Sequence, residues 1–183
     1  MPNPRLAERY AKSLIDIAVE TDSLEEIYTD LNKLIVTCDE SRDFENFLRS
    51  PIINKEKKEK IFTAIFKDNL VELTKKFVIL LIKKGREGVL PEILEAAISQ
   101  YKTLKNIRDV KMTTAIPLSK ELNDNIVEKI KQEIPGYTIE LKTKVKENIL
   151  GGFVLETDNT IYDASVIRKL RDVKTSFIKQ KAR

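Results

Sequence analysis

The repeat distance of apolar residues changes once along this chain, and that change constrains the fold more than any single motif. Up to about Lys105 apolar residues return every three or four positions; beyond it they alternate every second position. A period near 3.6 builds amphipathic helices, and a period of 2 builds half-buried strands. The sequence therefore predicts an α+β, mainly helical protein in two domains, a helical bundle over residues 1–105 and a small mixed-sheet domain over 106–183.

In the first part, Ala7, Tyr10, Ala11, Leu14 and Ala18 trace one helical face, with Leu6, Ile15 and Ile17 widening it. Ser23-Leu24-Glu25-Glu26 reads as a capping box that opens a helix through Ile27, Leu31, Leu34, Ile35 and Cys38. A third helix over residues 42–49 stops at Ser50-Pro51, because a residue preceding proline is pushed out of the helical region. Asn54 caps a fourth, whose charged start over residues 55–60 reads as a solvated face. The fifth, about residues 70–84, is apolar on nearly every side between Phe77 and Ile82 and closes on Gly85. Such a helix is either central or carries an exposed side awaiting a partner. Pro91 starts a sixth, carried to about Lys105 by Ile93, Leu94, Ala97, Ile98 and Tyr101.

In the second part, Val110, Met112, Thr114 and Ile116 alternate with polar neighbours in a strand expected to stop at Pro117. Ser119 caps a helix through Leu122, Ile126, Val127 and Ile130 that ends at Pro135-Gly136. Tyr137, Ile139, Leu141, Thr143 and Val145 then face one way along a second strand. Gly151-Gly152 opens a hairpin of two short strands separated by Asp158-Asn159, with a bulge or close backbone approach expected at the glycines. Asp163 stands at the expected N-cap of a last helix carrying Val166, Ile167, Leu170 and Val173. Both helices are expected on one face of the sheet.

Composition removes whole classes of chemistry. The chain has no histidine and one cysteine, so it holds no Ser-His-Asp or Cys-His nucleophile, no histidine metal cluster and no intramolecular disulfide. Cys38 falls at helical spacing behind Leu31 and Leu34 and reads as a small buried apolar residue. No phosphate-cradling glycine motif is present, and no cofactor is expected. The longest apolar run, residues 77–82, is far short of the roughly 20 residues of a membrane span. The N-terminus has no secretory h-region, and a cytoplasmic protein is expected. Residues 1–105 carry 18 basic and 18 acidic side chains, whereas residues 106–183 carry 15 and 11, so the whole net charge of +4 lies in the second part. Residues 168–183 hold seven basic side chains against Asp172 alone. A basic helix of this kind suits an acidic protein, an anionic surface or nucleic acid.

Three stretches, taken in order, resemble a known family: AERYAKSLIDIAVE over residues 7–20, FVILLIKKGREGVLPEILEAAISQY over 77–101, and the Gly151-Gly152 hairpin leading to Asp163 and Ser165. The chain is similar to the delta subunit of F-type ATP synthase, whose mitochondrial counterpart is the oligomycin-sensitivity-conferring protein. That resemblance implies a non-catalytic stator subunit, peripheral on the cytoplasmic face of the bacterial inner membrane and bound to it only through the complex. It implies a six-helix N-terminal bundle that takes N-terminal segments of alpha subunits between its first and fifth helices, at Tyr10, Ala11, Leu14, Phe77, Leu80 and Leu81. It implies a C-terminal domain that contacts the b subunits of the peripheral stalk. Arg168, Lys169 and Arg171 are the stalk-binding candidates, because charge complementarity sets orientation and on-rate. Gly151, Gly152, Asp163 and Ser165 carry the family signature. Two readings of the residues stay open beside this one, a basic nucleic-acid binder and an unrelated helical adaptor. Against the first, no aromatic stacking platform accompanies the basic residues.

Overall fold

A computed structural model describes residues 4–67, 69–117, 119–133, 136–157 and 160–181. The chain divides into two compact units, Met1–Lys102 and Thr103–Arg183. The first unit contains α1 (Pro4–Glu20), α2 (Leu24–Glu40), α3 (Arg42–Arg49), α4 (Lys55–Ile65), α5 (Glu72–Lys84) and most of α6 (Leu90–Leu104), with a 3-10 turn at Glu87–Val89. The second contains β1 (Ile107–Thr114), α7 (Lys120–Glu133), β2 (Thr138–Val145), β3 (Phe153–Thr157), β4 (Thr160–Asp163) and α8 (Val166–Lys181). The protein is mainly helical, with one four-stranded mixed sheet.

Within the first unit α2 is the hub, packing against α1, α3 and α5. Its Leu31 and Leu34 have no solvent exposure, and neither do Val78, Leu81 and Ile82 of α5. Full burial of a side chain of this size contributes about 1.5–3 kcal/mol before entropy is counted. α2 also supplies polar fixings. Asp30, 2% exposed, accepts the Val71 N–H at 2.6 Å and so caps α5 from another helix. Its other oxygen takes Lys33 Nζ at 3.3 Å, while Lys33 also donates to Asn69 O at 3.0 Å. α6 is tied to α2 by stacked Tyr28 and Tyr101 rings, 3.9 Å apart, and by Tyr101 Oη donating to Glu25 at 2.6 Å. Gln100 Nε2 donates to Glu8 O of α1 at 3.1 Å.

Two local expectations fail here for identifiable reasons. Ser23 precedes α2 but its hydroxyl makes no capping bond; it pairs with Thr21 Oγ1 at 2.7 Å instead, so the capping box does not form. The charged start of α4 is not wholly a solvated face either. Lys58 is 3% exposed, and its ammonium lies 2.7 Å from both Glu87 Oε1 and Leu48 O. Asn54 does cap α4, taking the Lys57 N–H at 2.9 Å, and Gly85 closes α5 in the left-handed region at φ 66°.

In the second unit the strand order is β2-β1-β3-β4, with β1 and β2 parallel and the remaining pairs antiparallel. The parallel pair is joined through α7, which packs on β2. Alternation places Val110, Met112 and Thr114 on the buried face beside Ile139, and the register sets Met112 opposite Leu155 and Thr114 opposite Phe153. Strand β1 ends at Thr114, short of Pro117, and leaves Ile116 70% exposed. Ser119 Oγ accepts the Leu122 N–H at 3.3 Å at the start of α7. The expected Asp158-Asn159 turn, and Pro135 at the expected end of α7, lie outside the described residues.

The apolar face of α8 is little covered among the described residues. Its Val166, Leu170 and Val173 are 39%, 55% and 50% exposed, and Ile167 is half-buried. The cap assignment moves. Ser165, not Asp163, is the N-cap: its Oγ accepts the Arg168 N–H at 3.3 Å, while Asp163 Oδ1 accepts the Ser165 N–H at 2.9 Å. The glycines precede β3 instead of interrupting a strand, so the close approach is realised and the bulge is not.

Candidate functional site

In the first unit α1 and α5, each of which packs on α2, carry the six residues that the family resemblance assigns to a groove. Of the six residues predicted to line a groove here, four belong to the core. Ala11 and Leu81 have no exposure, Leu14 has 1% and Phe77 has 9%. They set the shape of the surface from beneath. Tyr10 is half-buried and Leu80 is 44% exposed, so these two offer area that a partner can cover. Helical spacing extends the two positions into stripes. Leu6 lies four residues before Tyr10 and Ile17 seven after it, half-buried and 42% exposed; on α5, half-buried Leu73 precedes Phe77 by four residues and Leu80 by seven. Sequence reasoning misses Leu6, Ile17 and Leu73 as surface residues, although Leu6 and Ile17 widen the apolar face of α1.

The second unit presents two neighbouring features. One is an apolar groove of about 720 Å³ on the core face of the sheet, between Met112 and Phe153 on the floor, Leu122 and Ile126 of α7, and Leu150 at the rim. Among the described residues Lys129 is the one charged side chain lining it. Leu122 and Leu150 are 48% and 66% exposed, so α7 covers the sheet incompletely. The other feature is α8, on which Arg168, Lys169 and Arg171 are exposed beside the apolar stripe of Val166, Leu170 and Val173. Arg168 Nη1 donates to Asp163 O at 3.3 Å, which leaves the guanidinium largely in solvent. Hydrogen bonds from Ser165, followed by the charges of Arg168 and Arg171, hold the Asp163 carboxyl below its usual 3.8. The family-signature residues Gly151, Gly152, Asp163 and Ser165 come together at the start of α8.

Neither surface carries a reactive constellation. Among the described residues no three His, Cys, Asp or Glu side chains converge on a possible metal position. Cys38 is buried, and desolvation aided by Asp39 and Glu45 raises its thiol to about 11, so it is not a nucleophile near neutral pH. Among the described residues no helix is long and apolar enough to cross a membrane. What the arrangement can do is bind: helix faces and an apolar groove with exposed apolar area.

Comparison with known proteins gives these surfaces their setting. Residues 6–177 match the family model described as ATP synthase delta (OSCP) subunit. The chain is 40% identical over 171 residues to the ATP synthase subunit delta of Christiangramia forsetii, an alignment covering 93% of this chain and 92% of that one. It is 34% identical to the subunit delta of Cytophaga hutchinsonii, covering 98% of each. Its fold is similar to a chain of the Toxoplasma gondii mitochondrial ATP synthase hexamer, with a TM-score of 0.75 at 19% identity, covering 94% of this chain and 97% of that one. The chain thus belongs to the ATP synthase delta (OSCP) subunit family, the non-catalytic stator components of F-type ATP synthase.

Proposed function

We propose that this subunit is a two-ended connector. Its N-terminal unit, a six-helix bundle over about residues 1–105, caps the catalytic head by taking an N-terminal segment of an alpha subunit against α1 and α5. Its C-terminal unit, residues 106–183, holds the b subunits of the peripheral stalk through the basic face of α8, at Arg168, Lys169 and Arg171. The subunit sits on the cytoplasmic face of the bacterial inner membrane and reaches the membrane only through the complex. The observation that supports this reading most is that each of two separately packed units keeps an apolar surface it does not bury, with Leu80 44% exposed in one and Leu170 55% in the other.

The physical requirement is plain. A turning rotor drags the head with it unless a second, eccentric attachment resists, and a link of this kind needs two binding ends and no chemistry. A helix laid against α1 and α5 presents its i, i+3, i+4 and i+7 side chains to Tyr10, Leu80 and their neighbours. Each well-buried anchor contributes about 1.5–3 kcal/mol gross, much of it offset by ordering the segment. Joining that contact covalently to a stalk contact makes the second binding event effectively intramolecular.

Titration of the full chain with a peptide of the alpha N-terminus, followed by amide NMR, tests the first end. Shifts concentrated at Tyr10, Leu80, Leu6 and Leu73 are expected. Shifts confined to residues 103–183, or none at all, overturn the reading. At the second end, reversal of Arg168, Lys169 and Arg171 together is expected to weaken b-segment binding at least tenfold; an unchanged affinity removes those side chains from the interface.

A further inference from the structure

The segment entering β3 and the segment leaving β4 lie against each other with almost no slack. Val166 N–H donates to Gly151 O at 3.0 Å, and Ala164 N–H donates to Phe153 O at 2.9 Å. Gly152 has φ 74°, and a Cβ placed there stands 2.3 Å from Ala164 O and 3.2 Å from the carbon that bears it. Those atoms are backbone, so no rotamer change relieves the clash. At Gly151 a Cβ meets Val166 Cγ2 at 3.1 Å, a tight contact with a branched side chain. From the other side, Asp163 and Ser165 close two turns in succession, the carboxylate taking the Ser165 N–H and the hydroxyl the Arg168 N–H, with Ser165 only 1% exposed.

These contacts meet at one end of a helix whose described side chains, over residues 166–175, are little covered. Beyond the first turn of α8, Leu170 and Val173 are at least half exposed, so packing over residues 170–175 does little to set its direction. Direction is fixed where the chain enters it. The same two glycines also form part of the wall of the apolar groove, together with Leu150 and Phe153. One junction therefore connects the groove wall to the first turn of α8.

We propose that the Gly151-Gly152 and Asp163-Ser165 junction is a positioning clamp that holds α8 at a fixed angle to the groove, so that both are presented together to the stalk. The clamp rests on the stalk reading above for its purpose, not for its geometry. None of the four residues needs to touch the partner. They act through the direction of α8, and loosening the junction lets the helix sample orientations of which few meet the stalk.

The test uses the full chain with Ser165→Ala, Ser165→Thr and Gly152→Ala. Hydrogen exchange reads the α8 amides, the β1 amides and the α5 amides separately. The binding probes are a soluble segment from the C-terminal end of b and an alpha N-terminal peptide. For Ser165→Ala, the loss of a cap predicts about fivefold faster exchange in the first turn of α8 and about fivefold weaker b-segment binding, with β1 and α5 protection and alpha-peptide affinity unchanged. Ser165→Thr, which keeps the hydroxyl, is expected to restore both. Gly152→Ala is expected to release α8 more completely, with at least tenfold loss of b-segment binding. If Gly152→Ala also exposes the β1 amides, the Ser165 pair decides alone. Wild-type protection of α8 in Ser165→Ala, or unchanged b-segment affinity despite lost protection, overturns the clamp. A wild-type chain that binds no b segment overturns the stalk reading, and the exchange pattern then still decides whether the clamp exists.

Discussion

Replacing Lys58 by methionine removes one member of a buried ion pair and leaves the other stranded. The ammonium lies 2.7 Å from Glu87 Oε1 and 2.7 Å from Leu48 O, with the Lys58 and Glu87 side chains only 4% and 11% exposed. Among the described residues Glu87 Oε2 has no hydrogen-bond partner, so Lys58 is the main compensation for that carboxylate. Removing one partner of a buried pair costs about 3–5 kcal/mol, because the remaining charge keeps its desolvation penalty and loses its counter-ion. Leu48 O at the end of α3 loses a charge-assisted hydrogen bond in the same step. Lys58→Met is therefore expected to destabilise the first unit by about 3–5 kcal/mol. The double variant Lys58→Met/Glu87→Leu, which strands no charge, is expected to recover most of that loss.

The two compact units can melt separately, so a single whole-chain transition is an unsafe readout. Alkylation of Cys38, buried in α2, reports the first unit by itself. Its rate at fixed pH, measured across a urea series, gives the opening free energy, and about 3–5 kcal/mol corresponds to a rise of about 10²–10⁴ in rate. Equal destabilisation in the single and double variants refutes the reasoning. It would mean that Lys58 acts through its methylenes or through Leu48 alone.

Three further outcomes follow from the same geometry. Leu80→Glu places a charge on an exposed position and is expected to change stability by less than about 0.5 kcal/mol, yet to weaken alpha-peptide binding at least tenfold by calorimetry. Leu81→Ala, one residue further, empties a fully buried site and is expected to cost about 2–5 kcal/mol in the Cys38 assay. Because the Asp163 carboxyl is held below 3.8, its contribution to the α8 junction is complete above that pH and is lost as pH falls through the depressed value. The Ser165 amide resonance is therefore expected to move with acidification at a midpoint below 3.8, and Asp163→Asn is expected to abolish the movement.

Periodicity carried the helical and strand elements because it reports which face seeks burial. It does not report what buries that face. Val166, Leu170 and Val173 have the spacing of a core stripe, and the fold leaves them exposed. Lys58 shows the converse. It lies four residues before Phe62 and so on the same helical face, but the carboxylate that makes its burial tolerable is Glu87, far along the chain. Asp163 and Ser165 are both good capping residues two positions apart, and local sequence does not choose between them. The choice is made by Gly152, whose missing side chain lets the β3 entry lie against Ala164 and starts the helix after Ser165. For α1 and α5 periodicity marked the helices, while their choice as a partner surface came from the family resemblance. Which turns lie on the surface depends on how each helix rolls against α2, so Ala11, Leu14 and Leu81 went inside while Tyr10 and Leu80 kept exposed area.

The central claim, that one chain joins the head to the stalk through two separate ends, is tested most directly by reconstitution. Membranes depleted of this protein receive the full chain, the Leu80→Glu variant, or the variant with Arg168, Lys169 and Arg171 reversed, and proton-driven ATP synthesis is measured. The full chain is expected to restore synthesis, and each variant is expected to fail while still binding the partner at its intact end. Depleted membranes that synthesise ATP at the full rate, or full activity from both variants, contradict the account.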